Sequence, residues 1–223
     1  PSEKVLAKGM ADCIGMDSIG LKKVGKPNFK HTLPGHDAHT ETMPFANHAE
    51  AIRKVVECLT DNDIGVISSM SEIDAVGHRV LHGGDKFTSS VLVDGMDGNV
   101  VKAITDCIPL GPLHNPHNLT GIRACAEIMG ENIPQVAVFD TAFHQTMPDY
   151  AYTYAIPHEY AEKYGIRRYG FHGTSHRYIT LKAAEMLGKK PEELNIVTCH
   201  LGNGSSISAV KGGKCFDTTM GLT

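Results

Sequence analysis

Residues that bind anions are concentrated in one ten-residue run, 167–176. It contains two arginines, two histidines, two glycines and the hydroxyls of Thr174 and Ser175. Such side chains pack poorly in an apolar core but can bind and polarise a charged substrate. Three further runs have the same character, namely residues 77–84, 138–144 and 199–206. Together the four runs predict a binding site for a phosphate or a carboxylate.

Arg79 and Asp140 are the charged candidates within these runs. Arg79 lies between His78 and His82 and ahead of two glycines, a setting that suits bidentate capture of a carboxylate or phosphate. The alternative for Arg79 is a surface salt bridge. Asp140 ends an apolar stretch, where an acid can hold a metal, orient a cation or act as a base. The alternative for Asp140 is a helix or turn cap.

The glycine-rich segment Gly202-Asn203-Gly204-Ser205-Ser206 has two interpretations. Its backbone N–H groups and hydroxyls can cradle a phosphate, and His200 lies just before it. However, Asn-Gly is also a typical hairpin turn. The segment matches neither a Walker A loop nor a Rossmann fingerprint.

The histidine spacing raises a zinc hypothesis. His172 and His176 are four residues apart, but Gly173 stands where a metalloprotease helix has glutamate, so we expect no catalytic zinc. Ser175 lacks the Gly-x-Ser-x-Gly context of a hydrolase nucleophile, and we expect it to cap the following helix. A metal-dependent hydrolase is therefore a weak third hypothesis. His114 precedes a helix start that could attract an anion, although it could equally be a solvent-exposed histidine.

Hydrophobic periodicity predicts the elements that position these residues. Residues 1–42 are expected to be irregular, and strands are expected to alternate with helices after them, which argues for an α/β domain with ligands beyond the strand ends. The predicted strands cover residues 73–76, 136–139, 196–199 and 206–210; the predicted helices begin at Pro44 and cover 100–108, 115–130 and 175–188.

Composition excludes several classes of protein. A net charge of −4 over 223 residues argues against a general nucleic-acid binder. No apolar stretch is long enough to span a membrane, and no signal-peptide pattern is present. The six cysteines include no Cys-x-x-Cys pair, so we expect buried thiols in a reducing compartment, with the cytoplasm as the default location.

The four runs together resemble the acetokinase family of short-chain carboxylate kinases. The most specific strings are residues 140–144, Asp-Thr-Ala-Phe-His, and 170–176, Gly-Phe-His-Gly-Thr-Ser-His. The resemblance implies the actin/hexokinase/Hsp70-like (ribonuclease H-like) α/β fold. It also implies that residues 1–140 form an acyl-binding domain without its first strand and phosphate loop. Residues 141–223 would then link to, and begin, the nucleotide-binding domain.

The resemblance assigns a role to each candidate residue. Catalytic roles fall to Asp140, the essential acid near the metal, and to His172, which would stabilise the transferring phosphoryl group. A carboxylate substrate is already ionised, so its attack needs no general base; we therefore expect Asp140 to orient cations or metal-bound water. The other implied site residues are Arg79 for the carboxylate, Leu81, Leu113 and Phe171 for the methyl group, His200, Leu201, Gly202, Asn203 and Gly204 for the nucleotide, and His114 and His176 as further candidates.

The resemblance also implies an activity, a metal cofactor and a set of partners. The expected activity is reversible phosphorylation of acetate by ATP with Mg²⁺ or Mn²⁺, with the metal ligands lying outside this chain. Propionate or butyrate kinase is the alternative, as is a non-catalytic fragment that binds phosphate weakly. Small molecules are the expected partners, with no nucleic acid or membrane, and a homodimer is expected for the full-length protein.

Overall fold

The computed structural model describes residues 4–222, which belong to two compact units. The first unit holds residues up to Val76 together with Thr120–Pro134, and the second holds Gly77–Leu119 and the residues from Gln135 onward. The sequence-based division after residue 140 stays a prediction. Within the described range, no helix is both long enough and apolar enough to cross a membrane.

The strands form three sheets of three strands each within the described residues. Their orders are β1-β2-β3, β4-β6-β5 and β7-β8-β9. The strands are β1 (Lys8–Ala11), β2 (Phe29–Thr32), β3 (His39–Glu41), β4 (Val76–Val80), β5 (Val91–Leu92), β6 (Gln135–Phe139), β7 (Asn195–Leu201), β8 (Ser205–Lys211) and β9 (Lys214–Thr218).

Seven α-helices connect these strands in the part of the chain that the structure describes. Short 3-10 turns supplement them at Met70–Glu72, Ile108–Leu110, Ala142–Thr146 and Pro191–Glu193. The helices are α1 (Ser18–Val24), α2 (His48–Leu59), α3 (Asn99–Asp106), α4 (Asn115–Met129), α5 (Asp149–Tyr152), α6 (His158–Tyr164) and α7 (Gly173–Leu187).

The first unit corrects the expectation that residues 1–42 are irregular; residues 1–3 lie outside the described range. Strands β1, β2 and β3 form an antiparallel meander, and Asp17 caps α1 by accepting the N–H of Gly20. The meander packs on a small core of Phe29, Phe45, Ala51 and Cys58. These strands are only three or four residues long and mostly polar, so this packing, rather than an alternating pattern, defines them.

In the second unit, two strands predicted from sequence carry the charged candidates. Hydrogen bonds join the start of β4 to the start of β6, from Val76 N to Pro134 O, and the end of β4 to the residue after β6, from Asp140 N to Val80 O. The two strands therefore run in the same direction, with their starts together and their ends together, which is the parallel arrangement. The first of these strands was expected over residues 73–76 and instead begins at Val76.

The predicted hairpin is confirmed. Strands β7 and β8 pair antiparallel from Asn195↔Lys211 to Leu201↔Ser205, and Gly202-Asn203-Gly204 forms the turn. Helices α2, α3, α4 and α7 also lie where periodicity placed them, within a few residues. All six cysteines are free; Cys58, Cys107, Cys125 and Cys215 are buried, whereas Cys13 is half-buried and Cys199 is exposed.

The buried side chain of Asn115 fastens the end of β4 to α3. Asn115 occupies the first position of α4. Its Oδ1 accepts the N–H of His82 at 3.1 Å, and its Nδ2 donates to the carbonyls of His82 and Ile104 at 3.0 Å. Nearby, Oδ1 of the half-buried Asn118 accepts the N–H of Leu81 at 3.0 Å. The segment that follows β4 is therefore held by side chains of one helix.

We predict that Asn115→Ala lowers the free energy of unfolding by about 2–4 kcal/mol, because three buried backbone groups lose their partner. Asn118→Ala removes one half-buried hydrogen bond and should cost about 1 kcal/mol. Urea denaturation of both variants measures the difference. Equal losses would contradict this account of the segment.

Candidate active site

Asp140 joins three elements of the second unit. Its N–H donates to the carbonyl of Val80, and its own carbonyl accepts the N–H of Gly173 at 2.9 Å. Gly173 is the first residue of α7, and a Cβ there would overlap the Asp140 carbonyl oxygen, so only glycine permits this approach. The end of β4, the end of β6 and the start of α7 therefore meet at one residue.

The Asp140 carboxylate forms an ion pair with Arg79. Nη2 of Arg79 lies 2.6 Å from Oδ2, and Nε lies 3.2 Å from both carboxylate oxygens. Asp140 is 1% exposed whereas the Arg79 side chain is 60% exposed, so the pair extends from the interior to the surface. Pairing with Asp140 raises the pKa of Arg79. Asp140 is thus an ion-pair partner rather than a turn cap, and it holds one edge of the guanidinium while the rest stays accessible.

His172 lies in an unusual turn before α7. Its φ of 59° falls in the left-handed region, which costs a non-glycine residue about 1–3 kcal/mol and must be imposed by its surroundings. The preceding Phe171 carbonyl accepts a hydrogen bond from Nε2 of the buried His144 at 2.8 Å. His172 occupies the cap position of α7 without a side-chain capping bond, which leaves its ring free for other contacts.

The ring of His172 stacks on that of His200, with centroids 4.0 Å apart and planes 22° from parallel. His200 projects from β7 and contacts Ser175 Oγ through Nδ1 at 3.0 Å. A Cβ at Gly204 would lie 3.1 Å from Cε1 and Nε2 of His172, so the glycine turn leaves room for this ring. Burial and the neighbouring His200 lower the pKa of His172, and Asp140 opposes them. His172 is therefore mainly uncharged at neutral pH.

His176 and His144 are buried behind these rings. His176 contacts Thr198 Oγ1 through Nδ1 at 2.7 Å and Ser206 Oγ through Nε2 at 2.8 Å. Nδ1 of His144 lies 3.1 Å from Sγ of Cys215. Burial lowers the pKa of both imidazoles to about 4, so both are neutral, and the pKa of Cys215 is raised to about 12, which keeps its thiol proton.

A cavity of about 1060 Å³ opens at this cluster. Its lining includes Arg79, His172 and His200 together with apolar residues such as Leu81, Leu113 and Phe171. Phe171 is buried, whereas Leu113 is 79% exposed at the rim. Ten predicted residues line the cavity: Arg79, Leu81, Leu113, His114, Asp140, Phe171, His172, His200, Asn203 and Gly204.

Three predicted residues do not line the cavity. Leu201 at the end of β7 and Gly202 in the turn lie outside the lining, and Leu201 is 77% exposed. His176 is a buried partner of the site rather than part of its surface. The assignment of these residues to the nucleotide therefore stays a prediction.

The structure also places residues in the lining that were not among the predicted site residues. Ser175 was expected to cap the helix, but α7 begins at Gly173 and the Ser175 hydroxyl contacts His200. Thr174 and Ser175 belong to the run 167–176 and Pro112 precedes Leu113, so proximity in sequence was a usable signal for these three residues. The further lining residues are Gly111, Pro112, Thr174, Ser175, Tyr178 and Met220.

The donor set does not fit a divalent metal. The described residues contain no group of three or more histidine, cysteine or acidic side chains placed to hold a metal ion. Asp140 is the one acid among the residues that line the cavity, and Arg79 engages both of its oxygens. Mg²⁺ needs several oxygen ligands, so the described residues do not by themselves make a site for it.

Comparisons with known proteins place the chain in one family. The model of the Acetokinase family matches residues 1–223. The chain is similar to the acetate kinase of Thermoanaerobacter pseudethanolicus, with 58% identity over 220 residues that cover 99% of this chain and 52% of the relative. It is 55% identical to the acetate kinase of Methanosarcina acetivorans over 226 residues, covering 100% and 52%. The chain thus spans about half the length of these curated relatives.

Solved structures give the same grouping. The chain is similar to Porphyromonas gingivalis acetate kinase with a TM-score of 0.87 and 42% identity, covering 100% of this chain and 53% of that one. A propionate kinase from Francisella tularensis matches with a TM-score of 0.84 and 40% identity, covering 100% and 52%. The predicted α/β fold of the actin/hexokinase type is confirmed by these neighbours.

The buried histidines make stability depend on pH. His82, His144 and His176 have folded-state pKa values near 4 because burial disfavours the charged ring, whereas unfolded histidine titrates near about 6.5. The unfolded chain therefore binds more protons between these values, so stability falls as pH falls through this window. We predict that the free energy of unfolding decreases from pH 7.5 to pH 5.5. The slope should approach about 1.4 kcal/mol per pH unit for each imidazole below the unfolded pKa.

Urea denaturation across this range measures the slope. His82→Gln should lower this slope by the contribution of one imidazole. Substitution of the exposed His36 by asparagine is the matched control. A flat pH dependence, or an equal change in both variants, would contradict the assignment of neutral buried histidines.

Proposed function

Since this chain belongs to the acetokinase family, we propose that it serves the reversible, ATP-dependent phosphorylation of acetate to acetyl phosphate. The observation that carries the proposal is a cavity whose lining combines a guanidinium, two stacked imidazoles and several apolar side chains. A short carboxylate is bound by a cation that contacts its oxygens and by an apolar surface that contacts its alkyl group.

Arg79 is the proposed carboxylate-binding residue. Asp140 fixes its Nε and Nη2 edge, and Nη1 has no hydrogen-bond partner among the described residues, so the outer edge can take a substrate oxygen. Leu81, Leu113 and Phe171 line the same cavity and would contact the methyl group. Asp140 would therefore affect the substrate indirectly, because it orients the guanidinium of Arg79.

Phosphoryl transfer would be in line. A carboxylate oxygen attacks the γ-phosphorus of ATP and forms the new P–O bond as the bond to the β–γ bridging oxygen breaks, and ADP leaves. The nucleophile is ionised already, so catalysis rests on alignment and on stabilising charge on the phosphoryl oxygens. His172 is the proposed residue for the second task, because its Nε2 has no partner in the described part of the chain and lies beside Gly204 in the cavity wall.

The nucleotide phosphates are assigned to the β7–β8 turn. His200, Asn203 and Gly204 line the cavity there, and with Leu201 and Gly202 they form the proposed nucleotide-binding segment. Mg²⁺ or Mn²⁺ is the proposed cofactor; because the described residues offer no ligand set for it, its ligands would come from outside this chain. A cytoplasmic location and a homodimer of the full-length protein are part of the same proposal.

A longer acyl group is the second candidate substrate. A protein of similar structure is a propionate kinase. A coupled assay of acyl phosphate formation by the complete protein that carries this sequence, with acetate, propionate and butyrate in parallel, decides between them. No turnover with any of the three would reject the proposed function.

The 223-residue chain can be tested separately. We expect it to bind ATP–Mg²⁺ weakly, because the described residues offer no ligand set for the metal. Isothermal titration calorimetry measures this, and tight binding would show that the described residues are sufficient for the nucleotide.

For Arg79, we predict a defect in carboxylate use. Arg79→Ala and Arg79→Lys should raise the KM for acetate roughly 10- to 100-fold, since a charge-assisted hydrogen bond contributes about 1.5–3 kcal/mol. The lysine variant keeps a charge beside Asp140 and so separates substrate binding from the destabilisation caused by an unpaired buried acid. Arg53→Ala, an exposed arginine outside the cavity lining, is the control. An unchanged KM in the lysine variant would remove Arg79 from the acyl site.

For His172, we predict a defect in turnover. His172→Ala should lower kcat roughly 100- to 1000-fold with little change in the KM for acetate, as expected for a donor that acts on charge in the transition state. Substitution of the exposed His158 by alanine should leave both parameters unchanged. A raised KM with a normal kcat would instead assign His172 to substrate binding.

A further inference from the structure

His172 is connected through its Nδ1 to a buried series of polar side chains. Nδ1 of His172 lies 2.8 Å from Ser206 Oγ, and the same oxygen lies 2.8 Å from Nε2 of His176. Nδ1 of His176 then lies 2.7 Å from Thr198 Oγ1. We call His172, Ser206, His176 and Thr198 the hydroxyl–imidazole network. Its last three members are 1–2% exposed.

Proton counting leaves two arrangements for this network. A hydroxyl has one proton and a neutral imidazole has one, so Ser206 can donate to one ring and must accept from the other. In the first arrangement, Thr198 donates to His176, His176 to Ser206, and Ser206 to Nδ1 of His172. In the second, every donor and acceptor is reversed. The tautomers of His172 and His176 are therefore coupled through Ser206.

The distances favour the first arrangement. In it, each of the three protons has an acceptor at 2.7–2.8 Å. In the reversed arrangement the Thr198 proton must instead reach the Ser208 carbonyl, 3.5 Å away, which is outside good hydrogen-bond geometry. The first arrangement also places the proton of His172 on Nε2, the nitrogen next to Gly204 in the cavity wall.

We propose that Ser206, His176 and Thr198 are positioning residues, which hold His172 as the tautomer that presents an Nε2–H donor to the cavity. This inference rests on the proposed function, in which that donor binds a phosphoryl oxygen in the transition state. The neutral state of buried His176 fits this role, because a charged ring would donate through both nitrogens. The other charged or titratable groups that act on His172 are His200, Asp140 and Arg79, and none of them contacts Nδ1.

The strand supplies a matched control for Ser206. Ser208 is two residues further along β8, equally buried and on the same face, but its hydroxyl contacts Thr218 Oγ1 at 2.8 Å instead of a histidine. Ser206→Ala and Ser208→Ala therefore each remove one buried hydroxyl from one strand face. Only the first breaks the network.

The spectroscopic test does not depend on activity. Long-range ¹H–¹⁵N spectra of the histidine rings in the 223-residue chain report which nitrogen is protonated, and His172→Gln identifies the resonances of His172. We expect Nε2 of His172 to carry the proton in the unsubstituted chain and in Ser208→Ala, and the proton to redistribute between both nitrogens in Ser206→Ala. A proton on Nδ1 in the unsubstituted chain, or no change in Ser206→Ala, would overturn the proposal.

The kinetic test uses the complete protein. Ser206→Ala should lower kcat at least roughly tenfold, as loss of a tautomer-fixing partner does in other enzymes, with KM values for acetate and ATP unchanged within about twofold. Should Ser206→Ala fail to fold, Thr198→Val tests the far end of the network and Thr198→Ser restores its hydroxyl.

Equal kcat in Ser206→Ala and Ser208→Ala would overturn the proposal and leave the proposed function intact. Absence of all carboxylate kinase activity would reject the function, and the spectra would then decide the tautomer by themselves.

Discussion

The ion pair between Arg79 and Asp140 is the constraint on which the site depends. A buried carboxylate is unfavourable unless it is paired and hydrogen-bonded, and here one guanidinium meets both oxygens. The backbone of Asp140 also binds Val80 and Gly173. The position of Arg79 is therefore fixed by the same residue that joins β4, β6 and α7, and the cavity takes its geometry from this junction.

The imidazoles around this pair divide into two groups by their surroundings. His144 and His176 are buried and stay neutral, so they serve as hydrogen-bond partners of fixed geometry. His172 and His200 stack at the cavity wall, where they can reach a ligand. A left-handed backbone at His172 directs its ring between these two environments. The site thus combines a rigid polar interior with two rings that are accessible from outside.

Local signals allowed the sequence to predict the hairpin and the longer helices, whereas most of the cavity lining was implied by the resemblance to the acetokinase family. The Asn-Gly turn and helical periodicity act over a few residues, so they remain visible without tertiary structure. The pairing of Arg79 with Asp140 spans 61 residues and had no such signal. The β1–β3 meander was missed because packing on Phe29 and Phe45 defines it. The start of α7 at Gly173, and the inclusion of Tyr178 and Met220 in the lining, likewise follow from close approach and packing.

The most direct test of the account is a titration of the histidine ring signals of this chain with acetyl phosphate, followed by NMR. The account predicts saturable shifts for His172 and His200, with the exposed rings of His36 and His39 in the first unit unaffected, and loss of the shifts in Arg79→Lys. Absence of any shift at His172 and His200, or equal shifts at the exposed histidines, would contradict the claim that this cavity binds an acyl phosphate.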